Sequence, residues 1–209
     1  MGTKIKSCAI ITGAPENEIQ YYKNHLDGRF IISADSGYKK CVKLGLEPDL
    51  IIGDFDSSEK PQTNAETIVL PVRKDDTDTF YSVKEAVKRG FNDILILGGI
   101  GSRIDHTYDN ILCLNYCADR NINAVMLNKN NKIRVLTNDT IFESDGYKYF
   151  SLFALFGDCV DLTITGADYN VTDYTLTADC PLAQSNELKD EKVQLKFKSG
   201  KILLIQSND

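Results

Sequence analysis

The chain has 209 residues and a formal charge of −6, with 24 Lys and Arg against 30 Asp and Glu, and its pI is about 5.0. That balance argues against a general polyanion binder, so nucleic acid is not an expected partner. With 42% apolar and 26% charged residues the composition is that of an ordinary globular protein, which excludes disorder, collagen-like repeats and long coiled coils.

The longest apolar runs, such as Ile94 to Leu97 and Ile202 to Ile205, fall far short of the roughly 20 residues that span a bilayer, so no membrane segment is expected. The lysine-bearing start before Cys8-Ala-Ile-Ile is too short in apolar length for a secretory leader. Lys6 stands where a myristoylation signal would carry Ser or Thr. The cysteines, at 8, 41, 113, 117, 159 and 180, form no CxxC pair, and reduced thiols in a cytoplasmic protein are the natural reading. His106, Cys113 and Cys117 are spaced to share a helix face and formally offer soft metal ligands, but cysteine at helical spacing is more often a small buried hydrophobe.

Short apolar runs alternate with amphipathic stretches as far as residue 129, the pattern of βαβ units around a parallel sheet. Strands are predicted at Cys8 to Thr12, Phe30 to Ser33, Leu50 to Ile52, Thr67 to Leu70, Ile94 to Leu97 and Ala124 to Leu127. Helices are predicted between them near 16 to 26, 37 to 44, 78 to 89 and 105 to 119. The helix from Asp78 is the best marked: an acidic start, Phe80, Val83 and Val87 on one face, Lys88 and Arg89 in the last turn, and Gly90 just beyond.

After Asn128 the helical period gives way to β-branched and aromatic runs at 132 to 136, 147 to 156, 160 to 165 and 193 to 205. In the last of these Val193, Leu195 and Phe197 alternate with polar residues, Ser199-Gly200 follows, and then Ile202 to Ile205, which reads as a terminal β-hairpin. The polar stretch Asn128 to Lys132 divides the chain into an α/β domain, 1–129, and a small all-β domain, 130–209.

The unusual polar residues fall at strand ends. Asp35 follows Phe30-Ile-Ile-Ser-Ala, Asp54 and Asp56 follow Leu50-Ile-Ile-Gly, Asp75, Asp76 and Asp78 follow Thr67-Ile-Val-Leu-Pro-Val, and Gly98-Gly-Ile-Gly101 follows Ile94-Leu-Ile-Leu. In a parallel sheet these ends share one edge, where open α/β proteins bind their ligands. So many carboxylates cannot ionise together without a cation among them. Hard oxygen ligands point to Mg²⁺, or Mn²⁺ in its place, and not to zinc. With Arg73, Lys74 and Arg103 flanking the same loops, the set suits phosphoryl-type transfer, which depends mainly on positioning and charge neutralisation.

The motifs Ala34-Asp-Ser-Gly37, Pro48-Asp-Leu-Ile-Ile-Gly-Asp-Phe-Asp-Ser57, Lys74-Asp-Asp-Thr-Asp78, Gly98-Gly-Ile-Gly-Ser-Arg-Ile-Asp-His106 with Asn110, and Ser185-Asn-Glu187 resemble those of the thiamine pyrophosphokinase (thiamine diphosphokinase) family, in the family's order. The resemblance implies a Rossmann-like α/β/α domain followed by a β-sandwich domain. It implies transfer of the diphosphoryl group of ATP to the hydroxyl of thiamine, with AMP as the other product, in a homodimer whose active site lies between subunits.

Carried over position by position, Asp54, Asp56 and Asp78 would organise Mg²⁺ and the diphosphate, and Asp35 and Asp75 would support them. Arg103 and Asp105 would contact nucleotide phosphates and metal, with Ser36, Lys74, His106 and Asn110 in the same ATP-binding set. Ser185 and Asn186 would touch thiamine. The chain has no Trp, so any ring stacked on thiamine would be a Tyr or Phe. Two other readings remain open on the residues alone. One is a phosphatase of the haloacid-dehalogenase type with Asp54 as nucleophile; the other is a non-catalytic metal or nucleotide sensor.

Overall fold

The computed structural model describes residues 4–15, 19–55, 63–180 and 183–209. Two compact units divide the chain, Met1–Lys129 and Asn130–Asp209.

In the first unit β1 (Ser7–Ile11), β2 (Phe30–Ala34), β3 (Leu50–Gly53), β4 (Glu66–Val69), β5 (Asp93–Leu97) and β6 (Asn123–Leu127) pair in the order β6-β5-β1-β2-β3-β4, all parallel. Cys8 to Ile11 and Leu50 to Ile52 are wholly buried, as near-continuous apolar strands are when both faces of a parallel sheet are covered. From β1 the chain builds outward through β2, β3 and β4, then β5 enters on the other side of β1. The strand order therefore reverses between β1 and β5, and it is outside the strand ends of such a reversal that α/β sheets open a crevice.

Three α-helices connect these strands: α1 (Gly37–Leu44), α2 (Asp78–Lys88) and α3 (Ile104–Ala118). The helix predicted near 16 to 26 is instead a 3₁₀ segment over Ile19–His25, with 16–18 outside the described residues. At the start of α1, a Cβ on Gly37 would lie 2.0 Å from the carbonyl oxygen of Ile11, so only glycine lets the helix begin this close to β1. Thr77 caps α2, its hydroxyl accepting from the Phe80 backbone N–H at 3.1 Å.

The second unit is all β. Its strands are β7 (Asn131–Leu136), β8 (Thr140–Phe142), β9 (Tyr149–Ala154), β10 (Cys159–Thr165), β11 (Val171–Leu176), β12 (Ala183–Glu187), β13 (Val193–Lys196) and β14 (Ile202–Ser207). They pair antiparallel in two sets, β12-β9-β14-β7 and β11-β10-β13-β8. Phe150, Leu152, Ile202 and Leu204 from the first set join Leu162, Leu176, Val193 and Leu195 from the second in one buried cluster.

The terminal hairpin does not form. β13 pairs with β8 and β10, whereas β14 pairs with β7 and β9 in the other set. Ser199 bridges to Val160, and Gly200 at φ 103 turns the chain across to the opposite sheet. The alternating pattern is satisfied either way, because Val193 and Leu195 from one sheet and Ile202 and Leu204 from the other bury the same apolar faces in a shared interior.

Candidate active site

The crevice at the β1/β5 reversal is a cavity of about 360 Å³ in the first unit. Its walls come from the segments after β1 (Thr12 to Pro15), after β2 (Ala34 to Ser36), at the start of α2 (Thr77 to Thr79) and after β5 (Gly99 to Arg103), with His106 and Asn110 from α3. Ser36, Asp35, Asp78, Arg103, His106 and Asn110, each singled out in the sequence, are among these wall residues.

Three carboxylates meet at this edge. Asp35, Asp54 and Asp78 each place an oxygen within 4.8 Å of the other two, although they follow β2, follow β3 and open α2 respectively. Asp35 is held in the left-handed region at φ 48, with its N–H donating to the carbonyl of Ile52 at 2.7 Å. A non-glycine residue held there costs on the order of 1 to 3 kcal/mol, strain that accumulates where function fixes a side chain. Lys74 Nζ lies 2.5 Å from Asp54 and 3.3 Å from Asp78. Burial pushes the Asp78 carboxyl above its usual range, the charges of Asp35 and Asp54 add to this, and Lys74 opposes it. Burial also pulls Lys74 down, but its hydrogen bond to Asp54 and the charge of Asp78 carry it above its ordinary value.

The donor set suits a hard divalent cation. It consists of carboxylate oxygens alone, and Asp78 Oδ1 is a buried acceptor whose neighbour is the Lys74 ammonium at 3.3 Å. The grouping of the acids differs from the expected one among the described residues. Asp35, expected among the supporting residues, joins the trio, whereas Asp105 does not. Asp105 is exposed and ion-paired to Arg103 at 2.5 Å, and the hydrogen bond from that guanidinium holds its carboxyl below the usual range. Asp75 is also exposed and outside the trio, and Asp56 lies outside the described residues.

The glycine loop is held from below. Thr12 is buried and its hydroxyl donates to the carbonyl of Gly98; Asn110, 5% exposed, donates to the carbonyl of Gly99 at 2.7 Å. A Cβ at Gly98, where φ is 75, would meet Lys40 Nζ at 2.5 Å. Lys40 is itself buried and donates to the carbonyl of Ala14 in the cavity wall. Asn110 therefore shapes the loop with its amide. Thr77 links the two helices of the site, donating to Asp109 at 2.7 Å while it caps α2. Thr12, Lys40, Thr77 and Asp109 escaped the sequence reading, because a lone Thr or Lys carries no periodic or spacing signal.

Ser185 and Asn186 lie in β12 of the second unit. Ser185 is exposed at φ 54. Asn186 is 3% exposed, and its side chain accepts from the N–H groups of Tyr169 and Glu187 and donates to the carbonyl of Tyr169 at 2.8 Å. These bonds tie its amide to the backbone at Tyr169 and Glu187. The neighbouring Tyr169 ring is 75% exposed.

A parallel sheet with an acidic crevice at its reversal point, followed by an all-β unit, has the build of a kinase-class transferase. Comparison with known families agrees: residues 22–127 match the thiamin pyrophosphokinase catalytic domain, and residues 137–202 match the thiamin pyrophosphokinase vitamin B1 binding domain. The chain belongs to the thiamin pyrophosphokinase family. It is 28% identical to the thiamine pyrophosphokinase of Bacillus subtilis (strain 168) over 214 residues, covering 98% of this chain and 100% of that one. Thiamin pyrophosphokinase 1 of Caenorhabditis elegans is 27% identical over 171 residues, covering 76% and 70% of the two chains. The crystal structure of the Bacillus subtilis thiamine pyrophosphokinase superposes with a TM-score of 0.90 at 27% identity, covering 98% of this chain and 100% of that one.

Proposed function

We propose that this enzyme transfers the diphosphoryl group of ATP to the hydroxyl of thiamine, giving thiamine diphosphate and AMP, with Mg²⁺ or Mn²⁺ held by Asp35, Asp54 and Asp78. Asp56, two residues after Asp54 in the same motif, is assigned to the same work. The observation that carries this reading is the convergence of three carboxylates within 4.8 Å at the crevice of a chain matched by both domain models of the family.

A divalent ion held by Asp35, Asp54 and Asp78 would supply charge neutralisation at the phosphate oxygens. The chain's own residues do the positioning. Lys74 pairs with Asp54 and Asp78 and holds them aligned. Gly99 and Gly101 let the backbone approach the phosphates, while Arg103 and His106, exposed at the mouth, close on the nucleotide. An aspartate within hydrogen-bond reach of the thiamine hydroxyl would take its proton. Ser185 in the vitamin-binding unit offers its hydroxyl to thiamine, in a cytoplasmic homodimer whose site is completed by a second copy.

AMP release from ATP and Mg²⁺, measured with and without thiamine, tests the proposal. Thiamine-dependent AMP is the expected result, abolished when a chelator removes the metal. Inorganic phosphate released with a covalent phosphate on Asp54 supports the phosphatase, and ATP binding without AMP supports the sensor.

A further inference from the structure

Lys40 is a cation to which the proposed reaction gives no part. It lies on α1 three residues after Gly37, on the flank of the helix that Gly37 brings against the Ile11 carbonyl. That placement carries the lysine into the interior at the end of β1, where it is 8% exposed. An ammonium there loses most of its water, a cost that its contacts must offset.

The Nζ meets both loops that wall the crevice. It donates to the carbonyl of Ala14, in the segment after β1. A Cβ built at Gly98, in the segment after β5, would lie 2.5 Å from the same nitrogen, 2.8 Å from the Tyr22 hydroxyl and 3.4 Å from Thr12 Oγ1, so these three side chains form the floor under that turn. The Tyr22 ring, wholly buried, has its centroid 5.7 Å from the ammonium and offers the charge an aromatic face.

The loops in turn lean on each other and on the acids. A Cβ at Gly101 would meet that of Ala14 at 3.1 Å, and one at Gly13 would lie 2.0 Å from Ser36 Oγ and 3.7 Å from Asp35 Oδ2. Ala14 is therefore where the glycine loop, the segment after β1 and the turn bearing Asp35 are kept in step. Lys40 stands behind the cavity wall and not in it, so its effect on a ligand passes through these loops.

We propose that Lys40 is a positioning residue for the nucleotide: its ammonium ties the two loops of the crevice at the spacing that the phosphates of ATP require and places a positive charge behind them. The inference rests on the reading that ATP is the co-substrate. It gives Lys40 no contact with thiamine and no share in proton transfer.

Calorimetric titration of the full chain with magnesium ATP, together with steady-state kinetics of thiamine-dependent AMP formation, tests this. Lys40→Met keeps the apolar stem but removes the tether and the charge, so Kd and KM for ATP are expected to rise about tenfold, while kcat and KM for thiamine change by about twofold at most. Lys40→Arg restores a charged donor and recovers most of the ATP affinity. A purely structural role would lower the melting temperature with ATP affinity unchanged, or weaken both substrates equally, and either result overturns the proposal. The folded wild type gives a second measurement: the ammonium NMR signal of Lys40, assigned through its own side-chain carbons, is expected to shift when magnesium ATP is added. A signal that stays in place overturns the proposal as well. A wild type that binds ATP but forms no thiamine-dependent AMP overturns the reaction alone, because ATP affinity still judges Lys40; a wild type that does not bind ATP overturns both.

Discussion

Lys74 Nζ stands 2.5 Å from Asp54 Oδ2, joining the segment after β4 to the end of β3. The same ammonium reaches Asp78 at 3.3 Å, so one cation holds two of the three clustered acids.

Removing that cation should show in the pH profile. Asp78 already sits above the usual carboxylate range through burial, and Lys74 is the influence that restrains it. In Lys74→Met the Asp78 carboxyl rises further, so the ionised form needed for activity appears only at higher pH. The acid limb of kcat/KM is expected to move up by about one pH unit. An acid limb that stays in place would mean that Lys74 does not set this ionisation.

Asp78→Asn separates stability from activity. An acid whose folded value is raised favours folding when protonated, and that advantage is lost as pH rises through the folded value. At neutral pH the buried, ionised Asp78 therefore works against the fold. The metal-free Asn variant should melt at the same temperature as wild type or higher, while turnover drops by about a hundredfold or more. Loss of both together contradicts this assignment.

Asn110 tests the support of the glycine loop. Asn110→Ala leaves the Gly99 carbonyl without its donor, at an expected stability loss of about 1 to 3 kcal/mol. Because the loop faces the cavity, KM for ATP should rise more than kcat falls, as steady-state kinetics would show.

At Thr77, valine keeps the shape but removes the cap on α2 and the bond to Asp109. The loss is expected to be about 1 kcal/mol in denaturant melts, with reduced turnover because Asp78 is the first residue of that helix. Thr77→Ser retains the hydroxyl and should recover both.

The thiols give a direct test of the fold. Burial pushes Cys8 and Cys117 up to about 12 and Cys41 and Cys159 up to about 11, raises Cys113 as well, and leaves Cys180 exposed. Iodoacetamide at mildly alkaline pH should label Cys180 in the folded chain and the others only after unfolding, as peptide mass mapping would reveal. Rapid labelling of Cys8 or Cys113 would be incompatible with their placement.

Much of the first unit was legible because its signals are local. Buried parallel strands are continuous apolar runs, and acids and glycines right after them mark the edge where ligands bind, so Asp35, Asp54 and Asp78 could be picked out as residues. Their sorting could not. Asp105 carries the same chemical label as Asp35, and only the sheet order brings Asp35 to Asp54 and Asp78 while Arg103 engages Asp105 at the mouth. Asn186 reads as a polar residue in a binding motif, and only the structure shows its amide clasping the backbone of Tyr169.

By itself, then, the amino-acid order determined the succession of βαβ units, the change of character after Asn128 and the acidic strand ends, since hydrophobic period and charge are properties of neighbours along the chain. The tertiary structure decided that β13 and β14 part into opposite sheets and which carboxylates come together at one edge. Those outcomes depend on which distant groups become neighbours, and an alternating apolar pattern is equally satisfied by either sheet.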